Sequence, residues 1–216
     1  MRTAFIKKRI IVLSILCFLL PSCIAVQAAG SGLCALDYYL DAFDLEKANV
    51  KEWNEEAESL VYSIAPMADT MISLCVENGQ ILAISITAPK GDVCEEWAKY
   101  ALPLCGQISR REISSYLSNK KQDREKTWNS YAENISNGFS LLFVTGDLRE
   151  GLYLAQARNH EIYSDGSLSG DTLYWQPLHG GKCKHVNPVC STMDVPRLIS
   201  NEAAEKLGFR SCGRCN

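Results

Sequence analysis

The chain has 216 residues, 47% of them hydrophobic and 22% charged, and a formal charge of −3. This is enough apolar material for a buried core, and the acidic balance argues against general nucleic-acid binding, which rests on neutralising phosphates. Ten cysteines are many for this length, which directs attention to disulfide or metal chemistry.

Arg2, Lys7, Lys8 and Arg9 form a basic start, Ile10 to Leu20 a short apolar run, and Val26-Gln27-Ala28 ends on a small residue. That order predicts a secretory signal peptide over 1–28. The apolar run is too short for a comfortable membrane span; an uncleaved anchor is the alternative. Leu20-Pro21-Ser22-Cys23 is a near miss to a bacterial lipoprotein box, with Pro21 badly placed. Cleavage after Ala28 leaves 188 residues, moves the formal charge to −7 and removes Cys17 and Cys23. The expected location is secreted or extracytoplasmic, free or at the envelope, with no membrane span after cleavage. Disulfides are permitted there.

The next elements are read in chain order. Leu33, Leu36, Leu40 and Phe43 recur at helical spacing, with Asp37, Asp41 and Asp44 turned away. Tyr62 to Ala65, ended by Pro66, suggests an edge strand. Ile72, Leu74 and Val76 alternate with Ser73 and Cys75; after Asn78-Gly79 the alternation resumes at Leu82, Ile84 and Ile86. Such a pattern around Asn-Gly is a strong hairpin signal. Cys94 to Leu104 predicts a helix with Trp97, Tyr100 and Ala101 on one face. Cys94 and Cys105 would then lie roughly 16 Å apart, beyond the about 7 Å that a disulfide allows between α-carbons. Their only body partners would be Cys34 and Cys75.

Ser109-Arg110-Arg111-Glu112 has the form of a capping box and opens a helix through Ile113, Tyr116 and Leu117. Lys120 to Lys126 reads as a solvated helical face, since acids interrupt it. Phe139 to Val144 and Leu152 to Ala157 predict two strands joined across Thr145-Gly146-Asp147. Asn134-Ile135-Ser136 matches a glycosylation acceptor. Ser164 to Gly170 is rich in turn residues and marks a boundary. The prediction is therefore α+β: an antiparallel sheet with helices on one face over 29–168, and a small Cys/His metal-binding module over 169–216. The formal charge is −9 over 29–170 and +2 over 171–216.

The tail concentrates soft donors: Cys183, His185, Cys190, Cys212 and Cys215 fall within 33 residues. Zn²⁺ takes four S/N ligands, and two often come from one Cys-x-x-Cys turn. Asn187-Pro188 bends the chain before Cys190. Ser200 can cap a short helix over Asn201 to Leu207, and Gly208 can end it in the left-handed conformation. Phe209 can pack beneath the Cys212–Cys215 turn. Cys190, Cys212 and Cys215 are the expected ligands, with His185 as the fourth and Cys183 as its alternate. A disulfide from Cys212 or Cys215 to Cys190 or Cys183 is the competing reading. If Cys183 joins the set, four body cysteines remain, an even number; if His185 does, five thiols remain and one is free. His179 reads as a solvated turn residue, and Asn159-His160-Glu161 as a loop.

Glu202-Ala203-Ala204-Glu205-Lys206-Leu207-Gly208-Phe209-Arg210-Ser211-Cys212-Gly213-Arg214-Cys215 resembles the second half of the metal-binding domain of the Ada DNA-repair proteins. There an Ala/Glu-rich helix runs into Gly-Phe-Arg-x-Cys-x-Arg-Cys. Tyr174-Trp175, Gly180-Gly181-Lys182, His185 and Cys190 are similar to small modules appended to exported proteins of Gram-positive bacteria, which end in the same Cys-x-x-Cys. The Ada resemblance implies zinc, and in that family one of the first cysteine pair accepts a methyl group from DNA phosphotriesters. Those two cysteines are separated there by three residues, whereas Cys183 and Cys190 are separated by six. An exported chain also does not meet damaged DNA.

The body shows no phosphate-binding glycine loop and no serine elbow. The expected function is an exported, non-enzymatic protein with a structural zinc module, bound to a protein or envelope partner and not to nucleic acid. The alternative is thiol–disulfide activity at Cys212 and Cys215. Such a pair needs a helix N-terminus to hold its thiolate, and with Asn216 following Cys215 no helix is expected there.

Overall fold

The computed structural model describes residues 32–215 except 121, 122, 127, 136, 137, 157–161, 180, 191 and 192. The expected signal segment 1–28, with Cys17 and Cys23, lies outside the described residues, as do Lys121, Gln122, Ser136, His160 and Gly180.

Cys34–Ala35 (β1) precedes a short helix, Leu36–Ala42 (α1). Leu33, expected within that helix, instead donates its N–H to Ile81 O at 2.6 Å and lies buried beside the sheet. Asn54–Glu56 (β2) and Val61–Met67 (β3) pair antiparallel. Thus β3 is not the edge strand. β2 reaches only Val61 to Ser63, and the β3–β4 register shifts between Ile64 and Met67. Pro66 falls within this irregularity, where its missing N–H breaks no ladder.

Thr70–Glu77 (β4) and Gln80–Pro89 (β5) form the expected hairpin. Asn78 (φ 51°) and Gly79 (φ 71°) supply the two left-handed residues of its turn. Asp92–Ala101 (α2) follows and ends in a 3₁₀ turn over Leu102–Cys105. In Arg110–Asn119 (α3), Ser109 and Glu112 cap each other reciprocally: the Glu112 N–H meets Ser109 Oγ at 3.2 Å, and the Ser109 N–H meets Glu112 Oε2 at 2.7 Å. Asp123–Glu125 forms only a 3₁₀ turn where a helical face was expected.

Asn129–Ile135 (β6), Phe139–Thr145 (β7) and Arg149–Gln156 (β8) complete the sheet. Its order is β2-β3-β4-β5-β8-β7-β6, with β1 also on β5, and every pairing is antiparallel. The architecture is α+β, with eight strands in the main sheet. No helix among the described residues is long and apolar enough to cross a membrane.

Strand alternation sends neighbouring residues into different cores. Ile72, Leu74, Ile84, Ile86 and Phe143 cluster with Tyr39, Ala98, Leu102, Ile113 and Leu117 of the helical segments. Cys75, Ala83, Leu142, Val144, Tyr153 and Ala155 cluster instead with Leu173, Trp175, Val195 and Leu198. Residues 169–216 therefore share a core with the sheet. Each fully buried leucine, isoleucine, valine or phenylalanine of these clusters contributes about 1.5–3 kcal/mol.

The tail consists of Leu173–Gln176 (β9), Cys183–Lys184 (β10), Arg197–Ser200 (β11), Asn201–Lys206 (α4) and Arg210–Ser211 (β12). β9 and β11 pair antiparallel; β10 and β12 pair parallel. Polar contacts fix this layer to the sheet. Tyr153 donates its hydroxyl to Pro196 O at 2.6 Å, and Leu198 N–H donates to Ser85 Oγ at 3.0 Å. Arg197 grips Glu56 with two 2.9 Å hydrogen bonds and Gln176 with one of 2.8 Å.

Candidate metal centre

His185, Cys190, Cys212 and Cys215 converge, their ligand atoms all within 4.8 Å of one another. Each arrives by a separate local device.

His185 is placed by Trp175. Their backbones exchange two hydrogen bonds, Trp175 N–H to His185 O at 2.8 Å and His185 N–H to Trp175 O at 2.9 Å. Trp175 is itself fully buried, edge-on to Tyr153 with ring centroids 4.9 Å apart, and its Nε1–H donates to Gly166 O at 3.0 Å. A buried aromatic whose polar atom is satisfied makes a stiff template.

Cys190 is set by the Asn187 turn. Asn187 Oδ1 accepts the Val189 N–H at 2.9 Å and its carbonyl accepts the Cys190 N–H at 3.2 Å. This is the local side-chain capping at which asparagine excels.

Cys212 and Cys215 are delivered by α4 and β12. Ser200 Oγ caps the helix by accepting the Ala203 N–H at 3.1 Å, and Gly208 (φ 74°) reverses the chain after it. Phe209 packs against the small cluster of Val61, Tyr174, Ile199, Ala203 and Ala204. Arg210 and Ser211 then pair with Cys183 and Lys184, and the Cys212 N–H donates to Lys184 O at 3.0 Å.

Within the cluster, Cys190 Sγ lies 3.9 Å from Cys212 Sγ, and Cys215 Sγ lies 3.6 Å from His185 Nδ1. The Arg214 N–H points at Cys212 Sγ from 3.4 Å and holds that thiol below its ordinary pKa. Burial pushes the Cys190 thiol up to about 12 and holds the His185 imidazole neutral to lower pH than usual. A metal requires a neutral imidazole and thiolates of these donors; His185 and Cys212 are shifted toward those states, whereas Cys190 is shifted away from its thiolate. The arrangement could hold a metal ion.

Of the five tail candidates, four meet and Cys183 stands outside the group. Cys183 is half-buried and lines a cavity of about 460 Å³ that opens onto His185, Cys190 and Cys212. His179, exposed as a turn residue would be, lines the same cavity with Met193 and Arg214. Sequence reasoning missed Met193 and the templating role of Trp175. No local motif marks either, because both follow from packing on the sheet.

All eight described cysteines are free thiols. The expectation that Cys94 and Cys105 find partners in Cys34 and Cys75 is therefore corrected. Cys94 Sγ instead faces Ile86 O and Glu150 O, and Cys105 Sγ faces Leu102 O at 2.9 Å. Burial raises the Cys34 and Cys75 thiols to about 12 and the Cys105 thiol to about 11, and pushes Cys94 up as well. These four are packing residues with little thiolate.

Comparison of the chain with protein families, with characterised proteins and with solved structures finds no match.

Proposed function

We propose that the protein is an exported, non-enzymatic protein whose segment 169–216 is a module held together by structural zinc, with a binding or envelope-associated role. The observation that carries this reading is the spacing of the donors. A tetrahedral zinc with bonds of about 2.3 Å to sulfur and 2.0–2.1 Å to nitrogen separates two sulfurs by about 3.8 Å, and a sulfur from a nitrogen by about 3.6 Å. Two of the six donor pairs in the cluster are 3.9 and 3.6 Å apart, and all lie within 4.8 Å of one another. A disulfide would draw the sulfurs to about 2.05 Å.

Four protein donors complete a tetrahedral shell. Structural zinc sites are closed in this way, whereas catalytic ones keep a place for water or substrate. The donor set thus favours a structural role. In this reading the helices back one face of the sheet and the zinc module covers the other. The Gly208 reversal, the capped α4 and the Cys-x-x-Cys turn support an Ada-like or related exported Cys/His module. They do not favour Ada-type chemistry, because Cys183 is outside the donor group.

The test is elemental analysis of the purified full chain with the Cys212→Ser and Cys215→Ser variants. One zinc per chain, lost in both variants, upholds the proposal. A metal-free chain overturns it: with a Cys190–Cys212 disulfide in favour of a structural bridge, and with a Cys212–Cys215 disulfide in favour of thiol–disulfide chemistry. A secretion reporter fused after residue 28 tests the export half separately.

A further inference from the structure

The cavity beside the cluster holds one more thiol than the four-donor shell needs. Cys183 lines it together with His185, Cys190 and Cys212. Cys183 and His185 are two residues apart in extended backbone, since β10 runs directly into the His185–Trp175 bridge. Side chains two apart on a strand leave the same face, about 7 Å apart along it. Lys184 between them is buried, its Nζ bonded to Asn201 Oδ1 and 4.1 Å from the Tyr174 ring. Cys183 is therefore the next donor along the cavity wall from His185. His185 is also the one nitrogen donor, and so the one neutral ligand, of the group.

We infer that Cys183 is an exchange ligand, and that the cavity is the route by which a divalent metal reaches and leaves the four-donor site. During transfer a bound metal would exchange its His185 nitrogen for the Cys183 sulfur, whose thiol proton passes to solvent, and would then leave as the acceptor's donors replace the remaining sulfur bonds and the thiolates regain protons. Reversal restores His185 and returns the proton, so no oxidant or reductant takes part. Cys183 acts on the rate of exchange and leaves the stoichiometry unchanged. This rests on the metal reading above. It adds that a structural site is kinetically open from one side, to borderline and soft cations such as Zn²⁺ and Cd²⁺ that favour thiolate.

The experiment follows transfer of zinc from the loaded full chain to a chromogenic chelator. The Cys183→Ser variant should bind the same single zinc and release it several-fold more slowly. The Cys183→His variant, which restores a donor, should recover the rate. Equal rates in wild type and Cys183→Ser overturn the inference and leave the metal reading standing. A wild type that carries no zinc overturns both. Should the serine variant fail to fold, alkylation of the zinc-loaded wild type decides. Cys183 should be modified ahead of Cys190, Cys212 and Cys215, and the alkylated chain should release zinc slowly. Modification of those three first, or unchanged release, overturns the inference.

Discussion

The two groups of cysteines in this chain show how position decides what one residue type does. Cys34, Cys75, Cys94 and Cys105 sit in apolar cores, and their thiols are pushed up by burial. They serve as small hydrophobes in a fold that already has a continuous apolar core on the sheet. Cys212 and Cys215 sit in a turn with few apolar side chains to bury, and Cys190 faces them from the rim of the second core. β10 and β12 have two residues each, and Gly213 and Arg214 are exposed. The sheet is held by packing, whereas in the tail four donors converge that could hold a metal ion. The lesson is that cysteine count alone says little; what separates the two groups is whether the thiols sit singly in an apolar core or converge on one another.

Removal of the metal should have the largest effect. Structural zinc contributes about 10–16 kcal/mol in isolated small modules; the Cys190 loop also packs on the rim of the second core through Val186 and Val189, so the Cys212–Cys215 turn should respond most. A strong chelator should abolish hydrogen-exchange protection of the Cys212 amide while β4, β5, β7 and β8 keep theirs. Simultaneous loss in both regions would break the comparison.

Next comes the template. Trp175→Ala should destabilise the fold by about 3–5 kcal/mol and weaken metal binding as well, because His185 loses its anchored partner. Leu74→Ala, in the other core, should cost about 2–5 kcal/mol with metal affinity unchanged. Calorimetry with metal titration separates the two.

A smaller effect is expected at the Arg197–Glu56 clamp. Glu56→Gln should cost about 2 kcal/mol, since a buried guanidinium loses a charged partner. The hydrogen bonds from Arg197 hold the Glu56 carboxyl below its ordinary pKa of 4.5. Its contribution is thus present above that value and is lost as pH falls through the lower folded-state pKa. The difference in melting temperature between wild type and Glu56→Gln should shrink on acidification over that window. The smallest effect is at the packing thiols: Cys75→Ala should cost about 1 kcal/mol, and iodoacetamide should leave Cys34, Cys75, Cys94 and Cys105 unmodified in the native protein.

Much of this was legible where the signal is local. The Asn78-Gly79 hairpin, the Ser109–Glu112 capping box and the Gly208 reversal each depend on a few adjacent residues, and each stands where its chemistry placed it. β6 was not legible, because an edge strand reading Asn-Ser-Tyr-Ala-Glu-Asn-Ile carries no apolar alternation. Nor was the second core, since Trp175 and Leu198 meet Tyr153 only through the sheet's long-range pairing. For the candidate site, sequence narrowed the donors to five. His185 is already the expected fourth donor there with Cys183 as its alternate, and it joins the group; the Trp175 bridge that places it is not visible in spacing.

The central claim, that three sulfurs and one imidazole hold a metal, is tested most directly by X-ray absorption on the zinc-loaded full chain. The expected shell is three sulfurs at about 2.3 Å and one nitrogen at about 2.0 Å. A shell of four sulfurs would give the fourth place to Cys183, and a shell without sulfur would contradict the account altogether.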